Sequence, residues 1–381
     1  MDKKSRMQEE FDDTWPPRSR DVERAFAEIY SSGDWWKYTG ERVRRLEQEF
    51  PRSHDCSFGI SVCNGSVAID IALKALGVKP GDEIILPAYD FYSLPKSVLN
   101  VGAIPVFADV TASNLAISTE EVKKRMSPRT RAVIAVHISG SVAELDALNG
   151  LAEENNIRLI EDCAQAHGAI YDGKKVGSWG DLAIFSFGGV KLMTSGQGGM
   201  ITTSDEELHG RCYAIANRGQ LPDGRVNTYG IIGENFQMSE LQAAILLPQI
   251  GLLESFSKRR EEACVLLDRE LSEIDGIEIL SQFPKTQRRA HMRYSFYCKS
   301  RLPRKQLIDR LKQADIPAMP GYSSADADPR LQNAFADRQQ DLPNSRLAGE
   351  QIICIHHTFL LNERRVLVRL AERIRENLAV S

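Results

Sequence analysis

Short apolar runs alternate with amphipathic stretches through the middle of the chain. The runs are rich in β-branched residues and end in polar residues, glycine or proline, which is typical of strands. They lie at 82–87, 104–110, 130–139 and 157–164. The stretches between them, SVAIDIALKALG, FYSLPKSVLNVGA and ELDALNGLAEENN, have the apolar spacing of helices. This alternation predicts a mostly parallel sheet with helices on both faces.

The pattern changes after about residue 250. A long amphipathic helix is predicted over 252–274, and shorter strand and helix patterns follow it up to a closing helix. We therefore predict three parts: a polar N-terminal arm at 1–20, a large α/β domain at 21–250 and a small α+β domain at 251–381.

Composition excludes several classes of protein. Apolar residues make up 42% of the 381 residues and charged residues 26%, which are ordinary values for a globular protein. The formal net charge of -4 gives no electrostatic footprint for nucleic acid. No apolar run approaches the ~20 residues that span a bilayer, and the start lacks the apolar core of a signal peptide. We expect a cytoplasmic protein that binds neither nucleic acid nor membranes.

The seven cysteines are scattered, and none forms a Cys-x-x-Cys pair. This spacing argues against a zinc site and against a disulfide framework. We expect reduced thiols that pack as small apolar side chains, and we expect no metal.

The segment FSFGGVKLMTSGQGG (185–199) carries a single charged side chain, Lys191. On composition alone, a solvated surface lysine is the simplest interpretation. However, Gly188 and Gly189 precede it, and glycines let the backbone approach a bound group. A lysine held in such a dry loop has a lowered pKa, and its neutral amine can attack a carbonyl group.

Two other segments offer groups that complement this amine. Asn64, Gly65 and Ser66 stand directly before a predicted helix, where free N–H groups and the helix dipole favour a phosphate. A plain N-cap explains the same residues. Asp162 ends a predicted strand, where ligands of open α/β sheets bind, although a capping role is an alternative.

A phosphate cup, a strand-end carboxylate and a lysine are together the parts of a pyridoxal phosphate site. Ser66 and Ser186 supply hydroxyls for the phosphate, Asp162 faces the pyridinium nitrogen, and Lys191 forms the Schiff base.

The sequence also resembles the DegT/DnrJ/EryC1/StrS family of sugar aminotransferases from about residue 33 to the C-terminus. The likeness is carried by the succession of GDWWKYTGERVRRLEQEF, SVCNGSVAIDIALKALGVKPGDEIILPAYDF, EDCAQAHGA, KLMTSGQGGMITTSD and ENFQMSELQAA. The resemblance implies the α/β fold of fold-type I pyridoxal phosphate-dependent transferases, with a large mostly parallel sheet domain and a smaller C-terminal α+β domain. It also implies pyridoxal 5'-phosphate as the cofactor.

The resemblance further implies roles for single residues. Lys191 matches the internal-aldimine lysine and the base that moves the 1,3-proton, and Asp162 the partner of the pyridine nitrogen. Gln165 matches the neighbour of the phenolic oxygen. The family's phosphate contacts correspond here to Gly65, Ser66 and Ser186. Phe91 matches the aromatic residue that stacks on the cofactor ring.

Asn235 matches a residue that reaches the phosphate from the other subunit, so the resemblance implies a homodimer with composite sites. KLMTSGQGG and ICIHHTFLL look most like the branch that acts on cyclitol ketones or amino-hydroxybenzoate precursors. The implied activity moves an amino group from glutamine or glutamate to a keto-cyclitol or ketosugar in natural-product biosynthesis. Two alternatives stay open: a nucleotide-diphospho-ketosugar aminotransferase, and a pyridoxal phosphate-binding accessory protein without turnover.

The chain departs from the family pattern at several positions near the site, among them the glycines at 188–189, which stand in place of bulkier residues. Gln237 stands where the family commonly has an arginine, which leaves open how the donor carboxylate is held. An arginine pairs with a carboxylate through two parallel hydrogen bonds, and three nearby arginines could replace it: Arg288, Arg289 and Arg293. Asp90 stands where a threonine is frequent.

Several polar residues have a second interpretation. His137 either lines the site or is a hydrogen-bonded core histidine. His356 and His357 are adjacent, so at most one of them faces the site. The charged run at 258–262 is expected to be a solvated helix face.

Overall fold

The structure is a computed structural model that describes residues 15–37, 39–300, 302–331 and 341–378. Residues 1–14 of the predicted arm lie outside the described residues. Fourteen strands are present in the described ranges: β1 Phe58–Val62, β2 Glu83–Pro87, β3 Ile104–Ala108, β4 Thr130–Val136, β5 Arg158–Asp162, β6 Ile170–Tyr171, β7 Lys174–Lys175, β8 Leu182–Ser186, β9 Gly199–Thr203, β10 Ile277–Ile279, β11 Thr286–Arg288, β12 Arg293–Cys298, β13 Ala318–Pro320 and β14 Ile352–His356.

Eleven α-helices accompany these strands within the same ranges. They are α1 Arg20–Ser32, α2 Arg42–Arg52, α3 Gly65–Ala75, α4 Ser93–Asn100, α5 Thr119–Arg125, α6 Leu145–Glu154, α7 Glu206–Ala216, α8 Glu240–Leu271, α9 Arg304–Gln313, α10 Pro343–Gln351 and α11 Arg364–Leu378.

The largest sheet has seven strands in the order β1-β9-β8-β5-β4-β2-β3. All of its strands run parallel except β9, which pairs antiparallel with both β8 and β1. Each of the four central runs predicted as strands forms one here, so the predicted mostly parallel sheet is confirmed.

Helices cover both faces of this sheet, as the buried strands require. On β2, Ile84 and Leu86 point into one apolar core, which also contains Leu73 of α3. Ile85 points into the opposite core, together with Leu46 of α2. The unbroken apolar run of β2 therefore reflects burial on both faces.

The residues after 276 form a second, antiparallel sheet of four strands in the order β10-β12-β14-β13. A third core lies between this sheet and three helices, namely the C-terminal part of α8 together with α9 and α11. A small three-stranded sheet has the order β11-β6-β7. In it, β11 pairs with β6, which lies in the connection between β5 and β8 of the large sheet.

Helix α8 begins 12 residues before the predicted start, at Glu240 rather than 252. Ser239 and Gln242 form a capping box there, in which each side chain bonds the other residue's backbone N–H. The interpretation of 258–262 as a solvated face is wrong for Arg260, because its side chain is completely buried.

All seven cysteines are free, and six of them are buried. Their packing as small apolar side chains is therefore confirmed for every position except the partly exposed Cys63. Among the described helices, none is both long and apolar enough to cross a membrane.

Candidate active site

The parallel strands place their carboxyl ends at one edge of the large sheet, and the predicted site residues gather there. Strands β5 and β8 end at Asp162 and Ser186, and Phe91 lies four residues after the end of β2. Strand β1 runs in the same direction and leads into Gly65 at the start of α3. Ligands of open α/β sheets bind at this edge.

Lys191 lies in the lysine loop, which we define as residues 187–198 between β8 and β9. Its side chain is partly buried, and its backbone N–H donates to the carbonyl oxygen of Gly188 at 2.9 Å. Burial lowers the pKa of the Lys191 amine, while the carboxylates of Asp162 and Asp90 act in the opposite direction. The neutral amine, which is the nucleophilic form, is thus favoured relative to an exposed lysine.

Asp162 is the last residue of β5 and is 7% exposed. Burial raises the pKa of its carboxyl group, whereas a hydrogen bond from the N–H of Ala164 at 2.9 Å and the charge of Lys191 lower it. The carboxyl group therefore bonds the turn that follows β5, as the capping alternative requires, and also lies within electrostatic range of Lys191. The two interpretations are compatible.

Asn64 is an N-cap, since its side-chain oxygen accepts the N–H of Val67 at 2.9 Å. The neighbouring Gly65 lies against the end of β8, and Ser66, the next residue, is exposed at the same helix start. A Cβ atom added to Gly65 would lie 2.9 Å from the Cβ of Ser186, so only glycine permits this approach. The helix N-terminus and the two serine hydroxyls form a cradle that fits a phosphate.

Gln165 is buried, and two hydrogen bonds fix its side-chain amide. Its Oε1 accepts the N–H of Ser139 at 2.9 Å and the hydroxyl of Tyr322 at 3.1 Å. Because Oε1 is used in this way, the Nε2 group is left to donate to a bound oxygen. This geometry fits the predicted neighbour of a phenolic oxygen.

Phe91 presents an aromatic surface to the site and is 47% exposed. Its ring centroid lies 6.4 Å from that of Tyr322, in an edge-on arrangement. The residues at this edge of the sheet fit pyridoxal phosphate: an amine, a carboxylate, an amide donor, an aromatic face and a phosphate cradle.

The three candidate arginines have different surroundings. Arg288 donates to the carbonyl oxygen of Gly168 and pairs with Glu254. Arg289 is buried and donates to the hydroxyl of Ser141 at 3.2 Å. Only the third of these arginines, Arg293, lies near the lysine, because its charge acts on both Lys191 and Asp90.

Asn235 is exposed in the single chain and pairs through its backbone with Asn217. The segment that follows it runs along the end of β1, where the carbonyl oxygen of Phe236 accepts the N–H of Cys63 at 2.8 Å. The segment is therefore anchored beside the start of α3, while the side chain of Asn235 faces outward.

His137 is a hydrogen-bonded core histidine, the second of its two interpretations. Its Nδ1 accepts the N–H of Ala143 at 3.2 Å, so Nε2 carries the proton that is donated to Glu161 at 3.2 Å. Cys163 lies close to these two side chains. The carboxylate of Glu161 also accepts three backbone N–H groups, so it braces the loop after β7. The hydrogen bonds of His137 and Glu161 make this buried group a structural network.

The adjacent histidines also have different surroundings. His356 is partly buried and lies within electrostatic range of Arg293 and Lys191. His357 is completely buried, and its Nε2 bonds the carbonyl oxygen of Val190. At most one of them faces the site, as expected.

Tyr322 was not predicted to belong to the site, no role was predicted for Asp90, and His357 was named only as one of two histidines of which at most one faces the site. Asp90 lies beside Lys191, and burial together with the charge of Asp162 raises its pKa well above the usual range. Tyr322 comes from the segment after β13, in which no local motif marks it. For Asp90, the sequence signal was the departure from the family's usual threonine, and that departure did not by itself indicate a role.

Comparison with known proteins agrees with these features. The sequence profile of the DegT/DnrJ/EryC1/StrS aminotransferase family matches residues 18–372. A 3-amino-5-hydroxybenzoate synthase from Amycolatopsis mediterranei (strain S699) is 31% identical over 379 residues, which cover 96% of this chain and 97% of that protein. An L-glutamine:2-deoxy-scyllo-inosose aminotransferase from Streptomyces paromomycinus is 30% identical over 386 residues, which cover 92% of this chain and 90% of that protein.

The similarity extends to three dimensions. The crystal structure of a 3-amino-5-hydroxybenzoic acid synthase superposes on this chain with a TM-score of 0.90 at 30% sequence identity. The superposition covers 97% of this chain and 98% of the other.

Proposed function

Because this chain belongs to the DegT/DnrJ/EryC1/StrS aminotransferase family, we propose that it moves an amino group from glutamine or glutamate to a ketone on a cyclitol or sugar. It is a pyridoxal phosphate-dependent aminotransferase. The observation that carries the proposal is the partly buried amine of Lys191, held near the carboxylate of Asp162 beside the phosphate cradle. The cofactor, when bound, supplies an electron sink for the negative charge left on a deprotonated carbon.

Two side chains carry the proton chemistry in this proposal. The Lys191 amine is the base that takes the proton from the α-carbon of the donor, since its lowered pKa favours the neutral form. Asp162 would hold the ring nitrogen of the bound cofactor, and its carboxylate would favour the protonated form of that nitrogen. Five further residues hold and orient the cofactor in this proposal: Gly65, Ser66, Phe91, Gln165 and Ser186.

We assign the donor carboxylate to Arg293. Its Nε atom is buried without a hydrogen-bond partner in the described structure, and the guanidinium group lies at the site edge. A carboxylate would satisfy this donor with the bidentate geometry that arginine favours. In this assignment Arg293 does the work of the arginine that the family commonly has at the position of Gln237.

The acceptor is best explained as a keto-cyclitol or ketosugar that carries no nucleotide diphosphate. A diphosphate would require a basic groove, and 288–293 was the one candidate in the sequence. Arg288 and Arg289 are already bonded within the fold, which leaves one arginine of that run at the site. The activities for which the similar synthase and inosose aminotransferase are named support the same branch and a role in natural-product biosynthesis.

The active unit in this proposal is a homodimer with composite sites. The segment between α7 and α8 exposes large apolar side chains, including Ile232 at 97% and Val226 at 79%. Such exposure is typical of a surface that is covered by a partner. Asn235 is exposed on the same segment, which supports the proposal that it reaches the phosphate of a second subunit.

The predicted domain division has a functional meaning in this proposal. Residues 21–250 carry the cofactor contacts, and residues 251–381 add Arg293 and Tyr322 from above the sheet edge. The seven free cysteines are consistent with action in the reducing cytoplasm.

The first test is an absorbance spectrum of the purified protein before and after glutamine is added. We expect a visible band from the lysine-linked cofactor, and we expect glutamine to convert it to the pyridoxamine form. Lys191→Ala, with exposed Lys123→Ala as its matched control, should bind the cofactor without the lysine-linked band. A band that ignores every amino donor would support an accessory protein without turnover.

The second test compares acceptors. The aminated protein is mixed with keto-cyclitols or with nucleotide-diphospho-ketosugars, and return of the visible band is followed. We expect return with a keto-cyclitol or a free ketosugar. Return with the nucleotide sugars alone would overturn the assigned acceptor class while leaving the aminotransferase chemistry intact.

A further inference from the structure

Helix α8 holds the lysine loop at two points, one on each side of Lys191. The first point is direct: Gln249 is buried, and its Oε1 accepts the N–H of Thr194 at 2.9 Å. Its Nε2 donates to the carbonyl oxygen of Thr194 at 2.8 Å. These two hydrogen bonds fix the peptide groups on either side of Thr194, three residues after Lys191.

The second point runs through His357. The Nε2 of His357 lies 2.9 Å from the carbonyl oxygen of Val190, the residue directly before Lys191. A carbonyl oxygen can only accept, so Nε2 carries the proton. Nδ1 is then the acceptor, and Nη2 of Arg260 donates to it at 3.2 Å. The arginine thus selects the tautomer that can bind the loop.

The two points lie on one face of α8. Gln249 and Arg260 are 11 residues apart, which is close to three full turns, so both side chains project in the same direction about 16 Å apart. Both side chains are buried, while Arg259 between them is exposed. Helix α8 therefore supports the lysine loop on both sides of Lys191, directly through Gln249 and indirectly through Arg260 and His357.

Arg260 is an unusual residue to bury. Within the described ranges no carboxylate pairs with it, and its Nε and Nη1 atoms have no hydrogen-bond partner. The rings of Trp15 and Phe256 face the guanidinium group at 5.6 and 5.7 Å. A buried cation without a carboxylate is costly to the fold, so a role other than stability is the simpler explanation.

We propose that His357, oriented by Arg260, is a positioning residue for Lys191. It fixes the peptide group before Lys191, so that the amine meets the bound cofactor in one orientation. This role requires no contact of either residue with the cofactor, because the effect is transmitted through the carbonyl oxygen of Val190. Burial beside Arg260 also keeps the pKa of His357 well below its usual range, so the imidazole remains neutral.

The test follows the appearance of the visible lysine-linked band after pyridoxal phosphate is added to the apoprotein. We expect His357→Phe to slow this rate at least tenfold, because the carbonyl oxygen loses its donor. His357→Gln retains a donor and an acceptor at nearly the same place and should recover most of the rate. Equal rates for wild type and His357→Phe would overturn the proposal, as would a glutamine variant as slow as the phenylalanine variant.

A second readout separates positioning from general damage to the site. Pyridoxamine phosphate occupies the same cradle but cannot link to a lysine, so its dissociation constant should be unchanged in His357→Phe. A loss of affinity that matches the loss of linkage rate would mean that the substitution distorts the whole site, and it would overturn the positioning role.

Arg260→Met tests whether Arg260 orients His357. It also tests the positioning role if His357→Phe fails to fold. We expect slower linkage, with exposed Arg259→Met as the matched control at wild-type rate. In a double variant, Arg260→Met should add nothing to His357→Phe, since the two act through one carbonyl oxygen. Fully additive effects would overturn the pairing. These measurements use no amino donor or acceptor, so they are independent of the proposed substrates.

Discussion

The guanidinium group of Arg293 lies over the ring of Tyr322, with 4.4 Å between the guanidinium carbon and the ring centroid. The hydroxyl of the same tyrosine donates to Gln165, which follows β5 of the large sheet. The stacked pair thus joins the first residue of β12 in the antiparallel sheet to the cofactor edge of the large sheet. An arginine held in this way is pre-organised for a planar, bidentate partner.

Replacing this arginine should weaken the amino donor selectively. Arg293→Lys keeps the charge but loses both the stacking on Tyr322 and the forked hydrogen bonds, so we expect the KM for glutamine to rise about tenfold or more. The measurement is the rate of band conversion against glutamine concentration.

Arg288→Lys is the matched control, because Arg288 bonds Gly168 and Glu254 rather than the site. Its donor KM should stay near the wild-type value. An unchanged KM in Arg293→Lys would show that the donor carboxylate is bound elsewhere, with Gln237 as the next residue to test.

Replacing Asp162 should slow the chemistry without unfolding the protein. Asp162→Asn keeps the shape and can still accept the N–H of Ala164, but it cannot hold a proton on the ring nitrogen. Removing one pre-organised charge of this kind costs about 100-fold or more in rate. We would measure the conversion rate at saturating glutamine together with the thermal midpoint.

The exposed Asp172, which pairs with Lys285 at the surface, provides the comparison. Asp172→Asn should leave the rate unchanged, since a surface ion pair contributes little. A wild-type rate in Asp162→Asn would remove the pairing with the ring nitrogen from the proposed mechanism.

Much of the fold could be predicted from local patterns, because the central strands are continuous apolar runs and the helices between them have a 3.6-residue period. The true start of α8 could not be read from the apolar pattern, although Ser239 and Gln242 have capping-box spacing. Lys191, Asp162 and Ser186 were recognisable because each stands at a strand end or in a glycine-rich turn.

Other parts of the site depend on distant contacts. Arg260 sits in a charged run that is typical of a solvated face, and it is buried only because Trp15 and His357 cover it. Tyr322 has no motif, since its position depends on a hydrogen bond to Gln165 from the opposite sheet. Local sequence does not record such tertiary contacts.

Composite sites predict that two inactive variants restore activity when mixed. In a heterodimer of Lys191→Ala and Asn235→Ala subunits, one site combines an intact Lys191 with an intact Asn235 from the partner. Random mixing should then give about a quarter of wild-type activity, since half of the dimers are mixed and each has one intact site of two. The measurement is activity after the two proteins are dissociated and reassembled together.

Each variant reassembled alone is the control and should remain inactive or strongly impaired. If Asn235 acts within its own subunit, every mixed dimer carries two defective sites. Activity no higher than the average of the two separate variants would therefore contradict the composite arrangement.

Buried neutral histidines predict that stability falls at mildly acidic pH. His54 is completely buried, and its Nε2 accepts the N–H of Gly168 at 3.2 Å. Burial lowers its pKa in the native protein from 6.5 to about 4. Between these values the unfolded chain binds a proton that the native chain does not, so stability is complete above pH 6.5 and is lost progressively towards pH 4.

At pH 5 this difference amounts to about 2 kcal/mol for His54. We would measure the free energy of unfolding by urea at pH 7 and pH 5, with the cofactor concentration held constant because binding shifts apparent stability. His54→Gln can keep a hydrogen bond to Gly168 but does not titrate, so its loss between the two pH values should be smaller by about 2 kcal/mol. His291, whose pKa is also lowered to about 4, should account for part of the loss that remains. Equal losses in wild type and His54→Gln would assign the acid sensitivity to other groups.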